Sequence, residues 1–309
     1  LVITITGTND VPTIDAATNP AAIAEVAGDS STQDIAAVTG TIKITDQDVG
    51  DTLTVTVKGN ATAAYNGSTT LPVDANSIDV TALIASTAVT FDALTSDGEQ
   101  QTINWTYNPA AADLDWLRQG DTLTLTFVAQ VDDGQGNVGA QNLVITITGT
   151  NDVPTIDSAT NPATITEVTG SSAAQDIAAT TGTITITDQD VGDTLTVSVT
   201  GNATALYNGA AVPTENSIDV SALIASGAVS FGALTSDGEQ QTINWTYDPA
   251  AADLDWLRKD DVLTITYVAQ VNDGQGIVGS QNLVITITGT NDVPTIDSAT
   301  NPATITEVT

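Results

Sequence analysis

Along much of the chain, apolar residues alternate with threonine and other polar residues at a spacing of two. Thr41–Thr45 sets Ile42 and Ile44 against Thr41, Lys43 and Thr45, and Thr52–Val57 sets Leu53, Val55 and Val57 against threonines. Gln101–Tyr107 aligns Ile103, Trp105 and Tyr107, Thr122–Val131 aligns Leu123, Leu125, Phe127, Ala129 and Val131, and Leu143–Thr148 aligns Ile145 and Ile147. A period of two puts one set of side chains on a buried face and the other in water. Each run therefore predicts a half-buried antiparallel strand, a setting that suits Thr, Val and Ile. Ala21–Val26 and Ala88–Phe91 predict two shorter strands. Asp79–Ser86 and Ala110–Leu117, the second just after Pro109, each predict one or two helical turns. Seven or so strands without a long helical segment predict an all-β antiparallel sandwich with short helical turns in its loops.

The whole pattern occurs twice. Leu1–Asp15, LVITITGTNDVPTID, returns unchanged at Leu143–Asp157 and Leu283–Asp297, and the sequence between copies repeats as well. Its first half has strand alternation, and its second half, Gly7-Thr8-Asn9-Asp10-Val11-Pro12, is turn chemistry with two oxygen-bearing side chains. It reads as the last strand of one domain, a short stiff linker and the start of the next. The expected division is a terminal strand of a preceding repeat at 1–10, sandwich repeats at 11–150 and 151–290, and the start of another at 291–309. The repeats differ in length only between Gly67 and Ser77 (Gly209 and Ser217), which places that segment in a surface loop.

Charge narrows the function. Thirty-eight acidic residues face five basic ones, for a net charge of −33. This argues strongly against nucleic acid or an anionic membrane as partner, because both need Lys or Arg to neutralise phosphate. No apolar run approaches the ~20 residues of a membrane-spanning helix. Thirty-two of the acids are Asp and six are Glu, a bias that suits cation-binding turns better than a merely solubilising surface. With no Cys and no His, thiolate and imidazole metal sites and His-dependent triads are ruled out. No carboxylate pair stands out as a catalytic acid and base, so an enzyme is not expected.

The sharpest motif is Asp46-Gln-Asp48-Val-Gly-Asp51, repeated as Asp188, Asp190 and Asp193. In an extended segment, residues two apart point to the same side, so Asp46 and Asp48 converge. Two carboxylates about 4 Å apart repel by roughly 4 kcal/mol at an effective dielectric near 20. A hard divalent cation reverses that sign, and calcium takes six to eight such oxygens. The spacing is not that of an EF-hand, whose glycine and twelfth-position Glu it lacks.

Other acids fall at predicted strand ends: Glu25, Asp113, Asp115, Asp133, and the linker pair Asn9 and Asp10. Taken in order, Glu25, GTIKITDQD, LDWL, FVAQVDDG and TGTNDVP resemble the calcium motifs of cadherins: an early Glu, D-x-D, L-D-x-E, A-x-D-x-G and D-x-N-D-N-x-P. The sequence is most similar to bacterial cadherin-like, VCBS-type repeats of large secreted RTX adhesins, whose units end in TGTND. The resemblance implies tandem Ig/cadherin-like sandwiches that extend an adhesin from a bacterial cell surface in adhesion and biofilm formation. It also implies Ca2+ between neighbouring repeats. At the junction of repeats one and two, the ligands would be Glu25, Asp113 or Asp115, Asn151, Asp152, Asp188, Asp190 and Asp273, to which spacing adds Asp193. The first linker would use Asn9, Asp10, Asp46, Asp48 and Asp133, with Asp51 added likewise. The last would offer Glu167, Asp253, Asp255, Asn291 and Asp292. The linker lacks the first Asp and second Asn of the cadherin form, and Trp116–Leu117 replace Arg–Glu, so fewer cations per junction are expected.

Trp105 alternates in phase with Ile103 and Tyr107, and Trp116 lies beside Leu114 and Leu117, so both read as core side chains rather than sugar platforms. A ligand-binding alternative, glycan recognition or homophilic contact between copies, needs an exposed aromatic. Tyr65 and its counterpart Tyr207 are the candidates.

Overall fold

Ladder pairing sorts the alternating runs into two facing sheets per repeat. The computed structural model describes residues 1–28, 35–72, 77–110, 112–170, 177–296 and 298–300. In the first repeat the elements are β1 (Thr13–Thr18), β2 (Ile23–Ala24), β3 (Val38–Thr45), β4 (Thr52–Val57), β5 (Thr62–Tyr65), α1 (Ser77–Ile84), β6 (Val89–Phe91), β7 (Leu94–Thr95), β8 (Gln100–Tyr107), β9 (Thr122–Asp132) and β10 (Asn137–Thr148). One sheet has the order β1-β3-β8-β6, and the other has β2-β10-β9-β4-β7 with β5 also on β9. This is the strand order of an immunoglobulin-like sandwich. The ladders are antiparallel except β2 on β10, which is parallel. The second repeat, from Thr155–Thr160 to Ile277–Thr288, copies the arrangement, with an added two-residue strand at Ala210–Ala211 in the loop of variable length.

The inward phase is the one that the alternation marks. Leu123, Leu125, Phe127, Ala129 and Val131 are all 0% exposed, as are Trp105 and Tyr107. Full burial of such a side chain stabilises by about 1.5–3 kcal/mol, so the β8–β9 face carries most of the core. The Tyr107 hydroxyl donates to Leu83 O at 3.1 Å, tying α1 over the end of the sandwich. Among the described residues, no helix is long and apolar enough to cross a membrane.

Several local expectations change. Asp79–Ser86 forms α1 slightly earlier, followed by a 3-10 turn at Ser86–Ala88. Ala110–Leu117 forms no helix among its described residues. Its one helical-type bond is Leu117 N to Leu114 O at 2.8 Å, because Leu114 and Leu117 are both drawn fully into the core. β1 escapes the periodicity argument because a bulge between Ile14 and Ala16 breaks the period, and β5, TAAY, has little hydrophobic contrast. The copy of Leu1–Thr6 at Leu143–Thr148 forms the end of β10, with Ile145 and Ile147 0% exposed. The stretch becomes a strand where β9 and β2 flank it.

Candidate metal centre

The linker between repeats is fixed by three loops that its own sequence admits. β10 runs on into Gly149, whose N–H donates to Asp121 O at 3.0 Å. A Cβ at Gly149 would lie 2.3 Å from Arg118 O and 2.4 Å from Leu117 O, so only glycine lets the Leu114–Arg118 loop lie against the linker. Beyond β2, Glu25 N donates to Thr148 O at 3.0 Å, and Glu25 Oε1 accepts Thr150 N at 2.6 Å together with the Thr150 hydroxyl. Gly28, at φ +94°, turns its N–H onto Asp152 Oδ1 from a backbone region that favours glycine. From the second repeat, Asp190 Oδ2 accepts Asp152 N at 2.8 Å and Asp273 Oδ2 accepts Asn151 Nδ2 at 3.0 Å.

These bonds close a dense group of acids. Glu25, Asp115, Asp152 and Asp188 are 2–3% exposed and Asp190 is 0% exposed. Within the protein, Glu25 Oε2, Asn151 Oδ1, Asp152 Oδ2, both Asp188 oxygens and Asp190 Oδ1 are buried without a hydrogen-bond donor. An unpaired buried polar atom costs about 1–3 kcal/mol, and more for a charged group. Burial pushes the Asp152 carboxyl up to about 6; the Gly28 N–H opposes the shift and the charges of Glu25, Asp115 and Asp113 add to it. Burial pushes Asp188 up to about 7, with Asp193 and Asp273 adding to the shift. Asp190 rises to about 8, again through burial first, against the pull of the Asp152 N–H and reinforced by Asp152, Asp193 and Asp188. Glu25 is raised through burial as well, against its Thr150 bonds. The orphaned atoms are all acceptor oxygens, and two or more negative charges must share this small volume. That donor set fits calcium.

The two outer linkers hold half of the arrangement each. At the first, Asp10 N donates to Asp48 Oδ2 at 2.6 Å and Asn9 Nδ2 to Asp133 Oδ2 at 3.0 Å, repeating the bonds of Asp152 and Asn151. Asp46 is 2% exposed and raised by burial, with the charges of Asp48, Asp51 and Asp133 around it. Asp10 itself is exposed and Asp48 half-buried. At the last linker, Glu167 Oε1 accepts Thr290 N at 2.5 Å and Asp292 Oδ1 accepts Gly170 N at 2.6 Å. There Glu167, Asp255 and Asp292 offer oxygens that all lie within 4.8 Å of one another. Asn291 turns its Nδ2 to Asp292 O at 3.3 Å.

Asp113 and Asp115 separate. Asp115 is buried at the junction, while Asp113 is exposed and its Oδ1 accepts Asp115 N at 3.1 Å. Asp253 serves Asp255 in the same way at 3.1 Å. Asp115 and Asp255 thus stand at the linkers, where they could hold a cation, while Asp113 and Asp253 shape the loop. Asp193 lies beside the group, 3.9 Å from the Arg118 guanidinium of the first repeat. Two junction residues carry no signal in composition or spacing: Arg118, and Val191, which packs on the first repeat's core. Its copy Val49 is 76% exposed. Trp105 and Trp116 are both buried, and Tyr65 is not a free platform: it packs on Trp116 at 5.7 Å and its hydroxyl donates to Asp121 at 2.5 Å.

No protein-family model and no curated protein matches the chain. Solved structures similar to it include human CDH23 EC21-23, at 15% identity and TM-score 0.35, covering 87% of this chain and 66% of that one. Zebrafish RET cadherin-like domains 1 to 4 are similar at 11% identity and TM-score 0.24, covering 91% of this chain and 52% of that one. The enterotoxigenic E. coli CFA/I adhesin CfaE is similar at 9% identity and TM-score 0.31, covering 89% and 87%. The likeness is confined to the sandwich architecture.

Proposed function

We propose that the repeats are structural extenders of a secreted bacterial surface adhesin, a VCBS-type array of the RTX class that projects a distal adhesive domain in biofilm formation. Calcium at each junction locks neighbouring repeats of the chain at a fixed angle. The observation that carries this reading is the set of buried, donor-less oxygens on Glu25, Asn151, Asp152, Asp188 and Asp190, drawn from both repeats and the linker between them. The residues that would hold the ion are Glu25, Asp115, Asn151, Asp152, Asp188 and Asp190, with Asp273 orienting Asn151. The bound ion would supply the positive charge that lets these carboxylates ionise together while buried. Extracellular calcium modules bind at about 10⁻⁴–10⁻³ M, so the junction would stay pliable at cytosolic calcium and stiffen after export.

Small-angle scattering of the two-repeat protein tests this. Calcium should lengthen the maximum dimension and sharpen the distance distribution relative to chelator. Identical profiles in the two conditions would remove the stiffening role.

A further inference from the structure

The spacing that makes Asp46 and Asp48 converge also suggests Asp193 as a ligand, but the structure gives Asp193 another partner. Arg118 Nε lies 3.2 Å from Asp121 Oδ2 in its own repeat and 3.9 Å from Asp193 Oδ1 in the next. Asp121 is 7% exposed and is itself held by the Tyr65 hydroxyl and by Asn66 Nδ2 at 2.8 Å. The guanidinium is therefore anchored at its root and aimed across the junction. Gly192 completes the fit: a Cβ there would lie 3.5 Å from an Arg118 terminal nitrogen, so the second repeat's loop approaches the guanidinium closely. Beside this pair, Val191 leaves water to pack on the first repeat's core. In the second repeat, Arg258 is exposed and its backbone N–H, at 3.0 Å, serves Asp261.

We infer that Arg118 and Asp193, with Val191, form a second inter-repeat contact that needs no cation. Arg118 is a built-in counter-ion that keeps Asp193 out of the calcium coordination and restricts the direction in which the metal-free linker bends. The inference builds on the calcium reading only in assigning Asp193 away from the ion; the contact itself stands without it. A linker alone permits swivelling in every direction. A linker plus one off-axis contact acts as a hinge.

The chain has no cysteine, so dyes can be placed through Thr69→Cys and Ala211→Cys, both on exposed positions. Single-molecule energy transfer in chelator near pH 5, where the buried carboxyls are protonated and the junction closes, then reports the closed and open populations, and calorimetric calcium titration at neutral pH reports stoichiometry. Arg118→Gln and Asp193→Asn should each shift the chelated population toward open by about two- to fivefold, the range for a partly exposed ion pair. The double variant should add nothing further, and high salt should give the same shift in the unmodified protein. Asp193→Asn should leave the number of calcium ions bound unchanged. Loss of an ion in Asp193→Asn would make Asp193 a ligand and overturn the assignment. Arg118→Gln populations equal to the parent's in chelator would overturn the contact. If the parent itself bound no calcium, the stiffening function would fall while the chelated populations still decided whether the contact exists.

Discussion

Raising the pH of the metal-free protein should drive the two repeats apart, and calcium should reverse the trend. Burial holds the Asp152, Asp188 and Asp190 carboxyls at about 6, 7 and 8 in the closed junction, against 3.8 for a free aspartate in water. A carboxyl whose value is raised in the closed state favours that state while protonated. Its contribution is fully present below about pH 4 and is lost as pH climbs through the closed-state values, here between about 4 and 8. Ionising Asp152 alone, lifted from 3.8 to about 6, costs about 3 kcal/mol in the closed form. The three acids share one field, so their costs do not simply add. Opposing this are the partly exposed Arg118–Asp193 pair, worth about 0.2–1 kcal/mol, and the partial burial of Val191, worth about 1 kcal/mol. The penalty exceeds the contact, so above about pH 7 the chelated junction should be open, and near pH 5 closed. Opening relieves Asp152 and Asp190 first, since their copies in the first repeat, Asp10 and Asp48, are exposed and half-buried, whereas Asp46, the copy of Asp188, stays 2% exposed. With saturating calcium the sign inverts, because the ion takes deprotonated ligands and binds more tightly as pH rises. Scattering profiles from about pH 5 to 8, with and without calcium, check both arms. A chelated protein equally extended at both ends of that range would refute the reasoning.

Other outcomes follow from single residues. Asp190→Asn should weaken calcium binding by roughly tenfold or more in a calorimetric titration, since affinity follows ligand charge, yet favour closure in chelator at high pH. Gly149→Ala forces a Cβ within 2.3–2.7 Å of the backbone of Leu117 and Arg118. It should cost about 2–3 kcal/mol and lower the first repeat's melting temperature by about 5–10 °C in a calorimetric scan. Trp105→Ala empties a site of 0% exposure and should cost about 3–5 kcal/mol, splitting the melting curve because the second core stands intact.

The sandwich was legible because its strands have one wet and one dry face. Thr122–Asp132 alternates over its whole length between buried and half-buried positions, in phase with its leucines. Legibility fails where a neighbour decides the outcome. Leu114 and Leu117 follow the core into an irregular loop rather than a helix. The candidate site was legible as chemistry, since Asp-rich turns gather oxygens. Its closure was not. That Asp115 is buried and Asp113 exposed is decided by the loop's irregular path, with Asp113 accepting Asp115 N. Arg118 is one of five basic residues in 309, with no spacing to mark it. Its role depends on Asp193 of the next repeat, 75 positions away, brought to 3.9 Å by the docking itself.

The parallel pairing of β2 with β10 sets how a repeat answers to pulling. Tension from the amino-terminal side meets β1, laddered on β3, before it reaches β2, and leaves β10 through the carboxyl-terminal linker, so β2 and β10 are dragged lengthwise past each other. Their bonds, Ile23 and Ala24 against Ile147 and Thr148, bear load together rather than peeling in turn. Glu25 extends the same seam to Thr148 and Thr150, so a carboxylate of the acidic cluster also bolts the load path. Pulled from its two ends, each repeat would be strained in shear, the direction in which a ladder yields last.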